Sequence, residues 1–546
     1  MAGLRVRRNF WDLQDEYDKG NKKPLDTLIR AFKGIYELSP DNPNSFFFLA
    51  GLHGEPFRGA GWGNASWWGG YCNHGNVLFP TWHRAYCFAL ESALQSIHGC
   101  KDVTLPYWNE IEKNTQERGI PGAFLKKKWT FEDGGVIDNP LYSYKFQQKI
   151  TDNLPSSRDD ADYSKGDGYV TCRYPYSGLV GPADKEKTDA HNAEINKLGD
   201  DKVNQILNEN VKSWLLHTDV DGQKGRGGVL QKYFSCLEAP NYTVFSNTTS
   251  ATQWNEDHFN EGLPTSATVS PRLVQHVVPL ESPHNDIHVS IGGFEYGDGH
   301  FDGKYPGANG DMGENDTAAF DPVFFFHHCF IDAMFWQWQK EHGKTKQLDI
   351  IPQYPGTNSV DSQGPTPGTP GGTWLTLDTP LDPFQLPGTT KTMKSKDVID
   401  IETRLGYTYS PIKGLPRKTP SAAAPDAAAP GAATPDASRA NLVRISGINR
   451  GIIPGSFVLS TWTTTENGEE RLVGFHSTLS RWHVQGCANC QTHLRVKTFV
   501  PLYGLSKDQA SKVTVKLHTR DDPKGSTARE GGKPIPYVVG HLLGKE

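Results

Sequence analysis

The sequence predicts a mainly α core with long loops, followed by a small all-β sandwich. Three observations carry that reading. Apolar residues around several histidines recur at helical spacing without a breaker. Residues 411–440 are dominated by Ala, Pro, Asp and Gly and offer almost nothing to bury. Beyond them come short β-branched runs broken by turn residues, an all-β pattern.

Along the core, Trp82, Tyr86, Leu90 and Leu94 fall on one helical face of TWHRAYCFALESALQSI. His284 and His288 are four apart, so a helix would place both on one side. Asp321–Pro322 is a helix-start signal, and the aromatic run behind it is apolar on every side, so this helix should be buried. The histidines would then line the inside of a helical bundle, a usual place for metal sites. The stretch from about 110 to 270 is polar and punctuated by Gly and Pro, and reads as long loops with short helices. The tail runs are VRISGINRG, SFVLSTWTTT, RLVGFHSTL, HLRVKTFVPL, SKVTVKLHT and IPYVVGHLL. The organisation expected is a core over 1–410, a linker over 411–440 and a β domain over 441–546.

The chain has 546 residues, too many for one ordinary domain. Its 14 Trp, 20 Tyr and 26 Phe suit a large aromatic core. A net charge of −6 gives no reason to expect nucleic acid or a membrane surface as partner. Eight cysteines do not make a disulfide scaffold, and only Cys487 and Cys490 form a CxxC pair. The N-terminus lacks the apolar stretch of a secretory signal, and no run of about 18 apolar residues exists. A cytoplasmic location is the expectation, with Asn64, Asn241, Asn247 and Asn315 as chance Asn-x-Ser/Thr matches.

Six histidines form two triplets: His53, His74 and His83, then His284, His288 and His328. Their contexts are HGEPF, CNHGNVLFPTWHR, PHNDIH and DPVFFFHHCFID. The His284/His288 pair alone is a weak signal. The joint occurrence of four such fragments is stronger, because an unpaired imidazole buried among aromatics would be costly. Neutral imidazole suits copper, and three nitrogens per ion leave a position open for an exogenous ligand. Two such sites facing each other can hold dioxygen between them. A structural zinc protein is disfavoured, since open sites are not closed tetrahedra.

These fragments resemble the type-3 copper family: tyrosinases, catechol oxidases and haemocyanins. His74-x4-Phe79-x2-Trp82-His83-Arg84 followed by Glu91 is similar to its first copper motif, with Cys87 as a departure that touches packing only. Asp321-Pro322-x-Phe324 through His328-x3-Asp332 is similar to the second. The resemblance implies His328 as the ligand, His327 as a neighbour, and two copper ions per chain. It also implies a thioether between Cys72 and His74; the plainer alternative is a buried free thiol. Asn285 with Glu281 resembles a clamp for an ordered water that takes the phenol proton, the alternative being a helix-start acid beside a polar cap. Phe324 resembles an aromatic gate, and Val289 a small wall residue. Arg7 or Arg8, with Tyr407 and Tyr409, resembles the motif that closes the core.

The implied partners are dioxygen and small phenols. The implied chemistry is monophenol to o-diphenol and o-diphenol to o-quinone. The alternatives are a catechol or o-aminophenol oxidase without the first step, or a haemocyanin-like dioxygen carrier. The tail resembles a lid that keeps such enzymes latent, with Phe475 or Trp482 entering the site. Cys487 and Cys490 have the soft donors that select Cu(I) and could deliver copper. A disulfide, or a half zinc site with His483 and His493, is the alternative. The sequence does not predict an oligomer.

Overall fold

A computed structural model describes residues 3–54, 70–150, 164–218, 222, 224–260, 276–296, 303–361, 366, 368–416, 441–465, 467–482, 495–527 and 537–542. Cys487, Cys490, His483, His493, Asn64 and most of the linker lie outside these residues.

Three helices carry four of the six histidines: Phe79–Ser96, Glu281–Gly292 and Val323–Glu341. The last behaves as its composition requires. Its Phe324, Phe325, Phe326, Phe330 and Phe335 are all fully buried, and each such side chain contributes about 1.5–3 kcal/mol. Asp321 starts the helix by accepting the Val323 N–H at 3.0 Å. Arg173 grips the same carboxylate at 2.8 and 2.7 Å, so this helix start is pinned from a distant loop. The Glu281–Gly292 helix is buried along its whole length. Gly292 ends it where a Cβ would fall 1.8 Å from the Gly313 nitrogen, so the 311–313 turn closes directly on the helix end.

The region from 110 to 270 departs from the sequence reading. Beside short helices it holds Lys185–Asn196, Asp200–Leu215 and Thr248–Asn260, of 12, 16 and 13 residues. In Asp200–Leu215 the buried Val203, Ile206, Leu207, Val211 and Trp214 follow a helical spacing that the surrounding polar residues obscure.

The ends of the core meet. Strand Arg5–Arg7 pairs in parallel with Tyr407–Tyr409. Arg7, rather than Arg8, is the closing arginine. It donates to Glu91 at 2.8 Å and to the Tyr409 hydroxyl at 3.0 Å, and its guanidinium lies 3.7 Å from the Tyr407 ring centre. Arg8 pairs with Glu16 at a half-exposed site instead.

In the tail, Asn441–Asn449 is flanked by Arg495–Leu502 and Val538–Leu542, and Phe457–Thr464 by Glu470–Thr478 and Thr514–His518. Both three-stranded sheets are antiparallel, and one apolar cluster, with Ile445, Leu459, Val473, Val500 and Val515, draws on both. The tail is docked on the core: Arg444 grips Glu256 at 2.8 and 2.9 Å, and Arg520 meets Asp184 at 2.6 Å. Among the described residues, no helix is long and apolar enough to cross a membrane. Asn247 and Asn315 are fully buried, which removes them as glycosylation sites.

Candidate metal centre

All six predicted histidines come together, each at most 3% exposed. In the first group the Nε2 atoms of His53 and His83 lie 3.4 Å apart. In the second, His328 Nε2 lies 3.3 Å from His284 Nε2 and 3.2 Å from His288 Nε2. Two nitrogens each about 2.0 Å from one ion at a tetrahedral angle stand roughly 3.3 Å apart. Both groups therefore have the spacing to hold a metal ion. They face each other, with the rings of His83 and His328 stacked at 4.5 Å.

Local structure aims the rings. His83 Nδ1–H donates to the Phe79 carbonyl one turn earlier, at 2.8 Å. His288 Nδ1–H donates to the Met312 carbonyl at 2.8 Å, which the Gly292–Gly313 contact brings into range. His284 Nδ1–H donates to Asn285 Oδ1 at 2.9 Å. With Nδ1 protonated, Nε2 carries the free lone pair. Burial keeps the six rings neutral. It lowers His83 to about 3 and holds the other five well below the ordinary imidazole value. Neutral, lone-pair-exposed imidazoles are the donor set that copper takes.

His327 and His328 are adjacent but differently engaged. Both stand in one four-histidine group with His284 and His288. Only His328 places Nε2 against the other ring nitrogens. His327 Nδ1–H donates to Glu110 at 2.6 Å, and the Tyr233 hydroxyl donates to the other oxygen of that carboxylate. The His327 ring stacks on His284 at 5.3 Å, supporting it from behind. Sequence reasoning missed Glu110, because nothing local marks it.

A cavity of about 380 Å³ opens on this centre. The core lines it with His74, Glu281 and Asn285, and the tail with Arg450, His476 and Leu479. Glu281 is both a helix-start acid and a cavity residue. Its carboxylate accepts from the Gly75 N–H at 2.8 Å, the Thr248 N–H at 2.8 Å and the Thr248 hydroxyl at 3.0 Å. Burial nevertheless pushes it above the usual carboxylate range.

Four expectations change. Phe324 does not line the cavity. It is wedged among the rings of His328, His53 and His288 at 3.9, 4.7 and 5.6 Å, and packs the ligands rather than gating the opening. Val289 belongs to the apolar core and is not among the residues that line the cavity, although it follows Asn285 by one turn on the same helix. Phe475 packs on Trp214 at 4.7 Å, where the core offers an apolar wall. Trp482 packs against Leu179 and under the Arg520 guanidinium. Neither enters the centre; the end of the Glu470–Thr478 strand and Leu479 stand over it instead.

Two facing clusters of neutral imidazoles in a helical core, under a β tail, define a histidine-ligated copper oxidase. The family described as the common central domain of tyrosinase matches residues 43–341. A tyrosinase of Aspergillus oryzae is 48% identical, over 93% of both chains. Tyrosinase HcTyr2 of a Hahella species is 46% identical, over 93% of this chain and 90% of its own. The solved tyrosinase of Burkholderia thailandensis at low pH superposes with a TM-score of 0.77 at 44% identity, covering 94% of each chain. This chain belongs to the tyrosinase family and is an enzyme of its tyrosinase/polyphenol oxidase class. The dioxygen-carrier alternative falls with that assignment.

Proposed function

We propose that this enzyme hydroxylates monophenols to o-diphenols and oxidises o-diphenols to o-quinones, and that the docked tail keeps it latent. The observation carrying this reading is the cavity that reaches His74, Glu281 and Asn285 while its outer wall belongs to the tail. His53, His74 and His83 would hold one copper ion, and His284, His288 and His328 the second. Bound copper would supply the redox chemistry on dioxygen.

The chain's own residues do the rest. The cavity admits a planar ring beside His74. A phenol titrates near pH 10, so its proton needs an acceptor. Two carboxylate oxygens have about four acceptor positions, and Glu281 uses three. The fourth can hold the water that takes this proton, with the Asn285 amide as a donor to the same water. Cys72 would tether His74 through a thioether, and Cys487 with Cys490 would hand copper to the core.

Latency is also supported by relatives of the same fold. Solved Aspergillus oryzae structures named pro-tyrosinase align over 99–100% of this chain with TM-scores of 0.59–0.61. The test is oxygen uptake with tyrosine on copper-loaded protein, before and after a cut within the linker. Uptake that rises on cutting supports both parts. Uptake with a catechol alone would make this a catechol oxidase, and equal uptake before and after the cut would remove the lid.

A further inference from the structure

From the tail, the Arg481 side chain reaches the sulfur beside the first histidine group. Arg481 is 3% exposed, and its Nη2–H donates to Cys72 Sγ at 3.4 Å. Its Nη1 lies 3.8 Å from Asp316 Oδ1. Backbone bonds fix the segment that carries it: the Asn315 N–H donates to the Ser480 carbonyl at 3.1 Å, and the Trp482 N–H to Asp316 Oδ2 at 2.8 Å. The Asn315 amide reaches the same sulfur at 3.8 Å. Two donors from different parts of the chain thus converge on the Cys72 sulfur.

The ring beside it is the least anchored of the six. His83, His284 and His288 each have Nδ1 tied to a neighbour. Among the described residues, His74 alone of the six has no partner at either ring nitrogen, and it sits in irregular backbone before the Phe79–Ser96 helix. Among the described residues no hydrogen bond holds its ring, while the sulfur two residues away accepts from two donors.

We propose that Arg481, with Asn315, positions the Cys72 sulfur for bonding to the His74 ring, so that tail docking promotes the thioether. This rests on the thioether reading given above. In the step, the Cys72 S–H bond and one imidazole C–H bond break and a C–S bond forms. Two protons and two electrons leave; dioxygen takes them and becomes hydrogen peroxide. Arg481 is a positioning residue here, touching the sulfur and neither oxidant nor substrate.

The experiment loads the copper-free full chain with cupric ion in air. Mass spectrometry then follows the Cys72–His74 peptide, which becomes lighter by two hydrogens when linked. Bound copper is quantified alongside, so slow linking is not confused with slow loading. The parent should link, and Arg481→Met should link at least about tenfold more slowly, the order of loss expected when a reacting atom is misplaced. Arg481→Lys, a milder change, keeps the charge but cannot span Cys72 and Asp316 together, and should also be slow. Lys512→Met removes an exposed ion pair within the tail, with Asp508, that touches neither the core nor Cys72, and should link at the parent rate. Parent-rate linking in Arg481→Met or Arg481→Lys overturns the proposal while leaving the thioether intact. An unlinked parent removes the thioether reading, and this proposal with it.

Discussion

Lys232 Nζ lies 2.6 Å from Asp286 Oδ2, on the helix turn between His284 and His288, and ties that turn to the tail. The same ammonium donates to the Phe475 carbonyl at 2.9 Å. One buried ion pair therefore couples a metal-site helix to the Glu470–Thr478 strand.

Removing one partner leaves a buried charge without compensation. Lys232→Met is expected to destabilise the protein by about 3–5 kcal/mol. The double variant Lys232→Met/Asp286→Asn should recover part of that loss. Denaturant midpoints for the four members of the cycle measure it. Strictly additive losses would show that the pair has no coupling.

The adjacent histidines should separate by copper count. His328→Gln is expected to lower bound copper from two ions to one per chain, because it removes the Nε2 shared by His284 and His288. His327→Gln should retain two, since that ring is committed to Glu110. Atomic absorption on dialysed protein decides between them.

Gly292→Ala has no room. The new Cβ meets the Gly313 nitrogen and Cα, both backbone, at 1.8 and 2.2 Å. The 311–313 turn must then move away, taking the Met312 carbonyl from His288. A stability loss of about 1–3 kcal/mol is expected, with weaker copper retention at the second group. Thermal unfolding and copper titration read the two effects.

The tail also sets a pH dependence. Burial, with the Lys232 charge adding to it, holds His476 down at about 3. The unfolded chain binds this proton below about 6.5 and the folded chain does not, so stability is full above that value and falls as pH drops towards 3. The loss approaches about 1.4 kcal/mol per pH unit for one such group. Buried carboxyls such as Glu314, pushed up by burial, act in the opposite sense, so the difference between proteins is the quantity to read. Between pH 6 and 4, His476→Gln should lose less stability than the parent, by close to one proton's slope. Parallel curves would exclude the assignment.

Much of this centre was legible in the chain. His83 and Phe79 are one turn apart, so the helix itself supplies the anchoring carbonyl. Asp321–Pro322 starts the buried helix that delivers His328. The β-branched tail runs became strands because alternation and turn residues are local properties. The helix Asp200–Leu215 was hidden, since its apolar face is diluted by charged residues that water accepts. The roles of Phe324, Phe475 and Trp482 were not legible, because an aromatic ring is drawn to whichever apolar wall lies in reach.

By itself, then, the sequence determined the six imidazoles, the helices that carry most of them and the strands of the tail. These follow from spacing and periodicity within a few turns of chain. Only the tertiary structure decided the partners. Glu110 lies 217 positions from His327, and Cys72 lies 409 from Arg481. No local rule links residues so far apart. Folding brings them together because a buried ring nitrogen, carboxylate or guanidinium must find a partner once water is gone.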